Sequence, residues 1–337
     1  MRRTRAGTDL VVLAWLVAAL ASCSRSPEPR LVLYTSADDA LARDVIDAFQ
    51  AETGIRVDLA TDTEATKTTG LVERLIREAP RPRADVWWSS EVLGTMRLAR
   101  EGVLAPMESL PDWPLRDETW LGFAQRARVI AYSGSRVKDP PRSLSALTES
   151  TWTRRVGMAR PRFGTTRGHM AVLVEAWGPE AFEAWLEALV ENGLLLYDGN
   201  AAVVRAIAQG EIDVGLTDTD DVWAAVRNRW DVRLTTEVIE REDPSGWTGF
   251  GTLLIPNTVA IVKGAPNEPE ARRFVEFLVS APNERRMADS DSRNIPVREA
   301  VRAEYPNLVP DEVSSIDLNV MLEFEELAME ICDRVLD

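Results

Sequence analysis

Residues 31–59 read LVLYTSADDALARDVIDAFQAETGIRVDL, and this stretch decides the fold. The run Leu31–Tyr34 is short and apolar, which predicts a buried parallel strand. Apolar residues then recur at helical spacing until Gly54, which is typical of a helix C-cap. Residues 55–59 alternate as a second strand. Strand, helix and strand in this order predict a βαβ unit, and therefore an α/β fold with a mostly parallel sheet.

The same alternation continues outward along the chain. Further strand and helix patterns follow up to Gly102, and a second series begins at Val156. The apolar strand Ala127–Tyr132 connects the two series, and residues 257–263 return the chain as another apolar strand. Two crossings between two α/β units predict a two-strand hinge.

The N-terminal 22 residues have the pattern of a targeting segment. A basic start precedes the apolar run LVVLAWLVAAL, which is too short to span a bilayer. The run ends in Leu-Ala-Ser-Cys, which resembles a bacterial lipoprotein lipobox and implies cleavage before Cys23 with lipidation of its thiol. A plain secretory signal is the alternative. We expect residues 1–22 to be removed, residues 23–30 to form a tether, and the chain to be lipid-anchored in the cell envelope on the periplasmic or extracytoplasmic side.

Charge and motifs exclude several classes of function. The formal net charge of -15 argues against nucleic acid, which requires clustered Lys and Arg. The chain has no phosphate loop and no nucleophile elbow, and a Ser-His-Asp arrangement would depend on His169, the only histidine. We therefore expect a binding protein without catalytic residues or an obligatory cofactor.

Four stretches carry a resemblance to a known family. They are residues 31–59, ADVWWSSEVLGTMRLAREGVLAP (84–106), GEIDVGLTDTDDVWAAV (210–226) and GTLLIPNTVAIVKGAPNEPEARRFVEFLVS (251–280). Together they resemble the ferric-ion type of extracellular solute-binding protein, the binding component of ABC importers.

The resemblance implies a periplasmic-binding-protein-like fold whose two lobes close over a ligand. Residues 31–126 and 264–337 would form lobe 1, and residues 127–263, including the hinge strands, would form lobe 2. It also implies a monomer that delivers its ligand to an ABC permease and ATPase complex.

Acidic residues at strand ends are the first candidates for the ligand site. Aligned by eye with iron-binding relatives, Asp38 falls where they carry a histidine, and Glu91 lies one residue beyond their glutamate. Asp220 and Asp221 fall where they carry a tyrosine pair, and Asp218 lies just before. Carboxylates are hard oxygen donors suited to Fe(III) and to other hard metal ions. The alternative is that the acids after this strand cap the following helix or face solvent.

Hydroxyl and lysine side chains near strand ends and helix starts are the second group of candidates, because such positions can hold an oxyanion. This group comprises Ser36, Thr66, Lys67, Thr68, Thr165 and Thr166. Two such segments in opposite lobes would clamp a phosphate, a phosphonate or the anion that accompanies iron in some relatives. Ordinary helix capping is the alternative for each segment.

The sequence therefore supports three hypotheses. The first is capture of ferric iron or another hard metal ion as cargo, with or without an anion. The second keeps the fold and makes the ligand a phosphonate, another phosphorylated organic solute or a cationic organic solute. The third is an anchored sensor that presents its ligand to a partner protein without transport.

Overall fold

The computed structural model describes residues 28–61, 69–107, 113–162, 164–237, 239–243, 246–249 and 251–336. The predicted signal segment, the lipidation site Cys23 and most of the tether lie outside the described residues, as do Thr66, Lys67 and Thr68. Within the described ranges, no helix is both long enough and apolar enough to cross a membrane.

Strands and helices alternate through most of the chain. The strands are β1 (Arg30–Thr35), β2 (Arg56–Thr61), β3 (Val86–Ser89), β4 (Leu121–Ser133), β5 (Val156–Ala159), β6 (Leu195–Tyr197), β7 (Val214–Asp218), β8 (Val232–Thr236), β9 (Glu240–Asp243), β10 (Gly246–Gly249) and β11 (Leu254–Ile261). The α-helices are α1 (Asp39–Thr53), α2 (Thr69–Glu78), α3 (Leu93–Arg100), α4 (Gly164–Trp177), α5 (Pro179–Glu191), α6 (Asn200–Gln209), α7 (Thr219–Arg227), α8 (Glu268–Leu278), α9 (Ala281–Asp289), α10 (Glu299–Arg302) and α11 (Val320–Leu336).

The described strands form one large sheet and a separate β9-β10 hairpin. The sheet has the order β2-β1-β3-β11-β4-β7-β5-β6, and β8 also pairs with β4. Neighbours run parallel within each α/β series, where β1 pairs with β2 and β3, and β5 pairs with β6 and β7. β4 and β11 pair antiparallel with each other and with their neighbours, because one crosses between the series and the other returns. The predicted two-lobed α/β class is confirmed, and the hinge strands make the sheet as a whole mixed.

Strand β4 joins the two halves of the sheet. Residues Leu121–Ala127 pair with β11, and residues Arg128–Tyr132 pair with β7. The predicted strand covers only the second of these parts, so the observed strand begins six residues earlier than expected. The crossing brings two arginines of β4 to the carboxyl end of β7, where Arg128 lies directly opposite Asp218 in the register.

The C-terminal helix α11 packs mainly against α4 and α5 and also touches α3. The close approach depends on Gly168 of α4, because a Cβ built there would lie 2.9 Å from the sulfur of Met321. Cys332 is buried in this contact, and burial raises the pKa of its thiol to about 12, as expected for an inert cysteine. These contacts favour placing residues 320–336 with lobe 2 instead of lobe 1, and the remaining lobe boundaries stay a prediction.

Candidate functional site

A cavity of about 240 Å³ lies where the ends of several strands meet the starts of several helices. This arrangement is the usual place for a ligand in an open α/β sheet. The first α/β series contributes Asp38 and Ser90 to the wall, β4 contributes Arg126, and the segment after α9 contributes Ser292. The second series supplies the remaining lining residues, which are Ala159, Arg160, Gly164, Thr165, Thr166, Asp198, Gly199, Asn200, Ala201, Asp218, Asp220, Asp221 and Ala224. We call this cavity the cleft.

Asp218 is the centre of a buried polar network in the cleft wall. Its carboxylate accepts hydrogen bonds from Arg128 Nη1 at 2.8 Å and from Arg126 Nε at 3.0 Å. The Thr165 hydroxyl donates to it at 2.6 Å, and the Asn200 amide donates at 2.9 Å. Burial alone would raise the pKa of Asp218, but the two arginines and the Thr165 hydroxyl hold that pKa below its ordinary value. Asp218 is therefore ionised, and its oxygens are committed to protein donors and not to capping α7.

Arg126 lies between Asp218 and the neighbouring acids. Its Nη1 atom is 3.6 Å from Asp220, and its side chain is only 9% exposed. Burial acts to lower the pKa of Arg126, but Asp220, Asp218, Asp221 and Asp38 together raise it above the ordinary arginine value. Because Asp38 precedes α1, whereas the other three acids belong to the β7-α7 corner, this guanidinium interacts with acids on both sides of the cleft.

Asp220 and Asp221 occupy the first turn of α7, where the helix dipole favours negative charge. The Thr217 hydroxyl donates to the Asp221 carboxylate at 3.1 Å. One oxygen from each of Asp218, Asp220 and Asp221 lies within 4.8 Å of the other two. Oxygen atoms at this separation suit a hard cation placed between them.

Thr165 and Thr166 lie at the start of α4, beside Asn200 at the start of α6. The Thr165 hydroxyl bonds to Asp218, and the Thr166 hydroxyl bonds to the Asn200 side-chain oxygen at 3.3 Å. Both threonines line the cleft, and their hydroxyls help to hold the acidic network. An anion would therefore bind here mainly through the positive ends of α4 and α6 and through Arg160.

Asp38 and Ser36 follow β1 on the other side of the cleft. Asp38 is exposed, lines the cleft and makes no side-chain hydrogen bond that caps α1. Ser36 is buried, and its hydroxyl accepts from the Ser90 backbone N–H at 3.1 Å and lies 3.2 Å from the Ser89 hydroxyl. Ser36 thus positions the loop that carries Ser90, and Ser90 is the residue of this pair that lines the cleft.

Glu91 does not join the aspartates. Its carboxylate accepts from the backbone N–H groups of Leu93 at 2.6 Å and Gly94 at 3.0 Å, and so caps the start of α3. It lines a separate cavity of about 180 Å³, together with Arg167 and Glu325. Burial raises the pKa of Glu91 to about 7 despite these hydrogen bonds.

The raised pKa of Glu91 predicts a pH-dependent stability that Glu91→Gln removes. The pKa of Glu91 is about 7 in the folded protein, against a reference value of 4.5 for the unfolded chain. Because the folded state binds this proton more tightly, the free energy of unfolding falls as the pH rises from about 5 to 7. The free energy of unfolding of E91Q, relative to that of the wild type, should therefore rise by on the order of 1–3 kcal/mol between pH 5 and pH 8. Thermal midpoints of both proteins across this pH range measure the change.

The matched control for this prediction is Glu304→Gln. A hydrogen bond from Arg285 lowers the pKa of Glu304, so this carboxylate stays ionised throughout the range. E304Q should therefore show a constant offset from the wild type. A constant offset for E91Q as well would contradict the predicted ionisation of Glu91.

The family model for bacterial extracellular solute-binding proteins matches residues 31–290. The chain belongs to this family.

Two relatives and one solved structure are particularly similar to this solute-binding protein. Iron uptake protein A1 of Synechocystis is 30% identical over 307 residues, which cover 81% of this chain and 80% of that protein. The major ferric iron-binding protein of Neisseria meningitidis is 27% identical over 324 residues, covering 92% and 90%. The crystal structure of iron-bound HitA from Pseudomonas aeruginosa aligns with a TM-score of 0.76 at 26% identity, covering 91% of this chain and 99% of HitA.

Among the charged and polar residues that line the cleft of this solute-binding protein, sequence reasoning missed Arg126, Arg160, Asp198, Asn200 and Ser292. Arg126 had a detectable signal, because LGFAQRARVIAYS places two arginines within a run that is otherwise largely apolar. Arginines in a buried strand require buried partners, which here include Asp218. Asn200 lies three residues beyond the end of the predicted strand 194–197, close to a strand end as the other candidates are. No comparable signal marks Ser292.

Proposed function

We propose that this solute-binding protein captures a hard metal ion, foremost ferric iron, in the cleft and delivers it to an ABC permease and ATPase complex. The observation that carries the proposal is the group of three carboxylates at the β7-α7 corner, within 4.8 Å of one another and lining a cleft. The relatives named for iron uptake and ferric iron binding support iron as the cargo.

Within the group, the acids have different roles. Asp218 is held by four protein donors and organises the corner, so we assign cargo binding to Asp220 and Asp221. Asp38 lies across the cleft and would complete the oxygen ligands when the lobes close. The family resemblance implies a tyrosine pair where this chain has Asp220 and Asp221, so the cargo would be held here by carboxylates in place of phenolates.

The starts of α4 and α6 favour a second candidate function. These helix ends and Arg160 line the same cleft beside the acids, and Thr165 and Asn200 at the helix starts bond directly to Asp218. A ligand with an anionic group at one end and an amine at the other, such as an aminophosphonate, would match both halves. The same half would equally hold an anion that accompanies a metal ion.

Envelope localisation and lipid anchoring at Cys23 remain part of the proposal. The lipobox-like residues Leu20–Cys23 support them. Mass spectrometry of the membrane fraction tests the anchor, since a mature chain that begins at Cys23 without acyl groups would contradict it. We also propose that the protein binds its ligand as a monomer and catalyses no reaction.

A thermal-shift panel on the metal-stripped mature protein tests the cargo. A ligand that binds only the folded state raises the free energy of unfolding through mass action, by about 2.7 kcal/mol when its concentration is 100 times Kd. The thermal midpoint rises as a result. We expect Fe(III) citrate to raise the midpoint more than Mn(II), phosphate, aminoethylphosphonate or thiamine. Citrate alone is the control. If aminoethylphosphonate raises the midpoint and none of the metal ions does, the second candidate function replaces the iron proposal.

A further inference from the structure

Arg126 places a permanent positive charge inside a cleft assigned to cation binding. We propose that Arg126 is the resident counter-ion of the cleft, which the incoming cation displaces from Asp220, and that it thereby limits cation affinity. This inference rests on the proposed function, because it concerns how the same cleft discriminates among cations by charge.

The two arginines of β4 have different surroundings. Arg128 is fully buried, lies outside the cleft lining and pairs with Asp218 at 2.8 Å. Arg126 lines the cleft and extends beyond Asp218 to Asp220. Because Arg128, together with Thr165 and Asn200, already satisfies Asp218, the ion pair of Asp218 does not by itself require Arg126.

The position of Arg126 makes it a competitor of the cargo. Its guanidinium interacts with Asp220, Asp221 and Asp38, the same three acids that we assign to cargo binding. With this side chain in place, the empty cleft is partly neutralised and avoids the repulsion of several unpaired carboxylates. A bound cation must overcome that attraction and also tolerate the nearby positive charge.

The competition has a charge-dependent signature. Removing one positive charge makes the electrostatic potential in the cleft more negative, and a cation benefits in proportion to its own charge. A charge within 4–6 Å changes the proton affinity of a carboxylate by roughly 1–3 log units, so the gain for a metal cation should be at least about tenfold. The gain in log affinity should be larger for a trivalent cation than for a divalent one.

Titrations of the metal-stripped mature protein with Tb(III) and with Mn(II), in a buffer free of coordinating anions, test the proposal. Arg126→Gln should bind Tb(III) at least about tenfold more tightly than the wild type and Mn(II) more tightly by a smaller factor. Arg126→Lys keeps the charge and should stay close to the wild type. Arg126→Met is prepared in parallel, so that a folding failure of R126Q leaves a second variant without the charge.

The outcomes separate this inference from the proposed function. Wild-type binding in the thermal-shift panel decides the function, whereas the ratio of variant to wild-type affinity decides the role of Arg126. Equal or weaker Tb(III) binding by folded R126Q overturns the counter-ion role. A loss that appears only when phosphate or citrate is present also overturns it, because Arg126 would then hold an anion.

Discussion

Replacing Asp220 and Asp221 together by asparagine is expected to weaken binding of the cation found in the thermal-shift panel by at least about 100-fold. Loss of a single residue that merely orients a metal ligand typically costs 10–100-fold in affinity, so loss of two charged ligands should exceed that range. The amide groups keep the shape of the side chains and their place in the first turn of α7. Arg126 also keeps Asp218 as a partner, so the double variant should fold. Isothermal titration of the stripped protein measures the loss.

The control for this experiment matches the change in charge. Asp44 and Asp47 lie on the exposed side of α1 and do not line the cleft. Their double replacement by asparagine alters the net charge equally and should leave the affinity within about twofold of the wild type, because exposed charges at a distance are screened by salt. An unchanged affinity of D220N/D221N would show that these two aspartates only stabilise the helix start.

Replacing Asp218 by asparagine is expected to cause the largest loss of stability among the cleft residues. In the described part of the chain, Asp218 is the only carboxylate in ion-pair contact with Arg128, which is fully buried. Removing one partner of a buried ion pair leaves an uncompensated buried charge and costs about 3–5 kcal/mol. We expect the thermal midpoint to fall by roughly 5–10 °C, and the midpoint of urea unfolding to fall with it.

Asp198→Asn is the matched control at the rim of the same cleft. Asp198 is 98% exposed and lies 3.9 Å from Arg160, so removing its charge should change the stability by less than about 0.5 kcal/mol. If D218N proved as stable as D198N, the Asp218 network would not be holding the β4-β7 junction together. Any weaker cation binding by D218N would then reflect a local change in the cleft and not a loss of overall stability.

Much of the architecture follows from local patterns. Leu31–Tyr34 and the helical spacing before Gly54 predicted β1 and α1 to within about one residue, because a buried strand and an amphipathic helix each impose a period on the sequence. The length of β4 was not predictable in this way. Its first half contains Gln125 and Arg126, which break the apolar pattern and are tolerated because Arg302 donates to the Gln125 side chain while Asp218 and Asp220 pair with Arg126.

The candidate site was only partly accessible from the sequence. Asp38, Asp218, Asp220 and Asp221 were expected at strand ends, and the structure places all four in the cleft. Glu91 was expected with them, yet its carboxylate turns back to cap α3, since two backbone N–H groups lie within reach. Such local hydrogen bonds compete with a distant ligand site, and residue spacing does not show which of the two prevails.

The sequence by itself determined the α/β series, the acidic corner after β7 and the resemblance to solute-binding proteins, because these depend on short-range periodicity and on residue type. Only the tertiary structure decided how the acids are used. Arg126 and Arg128 lie about 90 residues from Asp218 along the chain and meet it through the antiparallel pairing of β4 with β7. A contact between strands so far apart leaves no periodic trace in the sequence. This contact holds the Asp218 carboxylate with protein donors, although Asp218 lines the cleft together with Asp220 and Asp221.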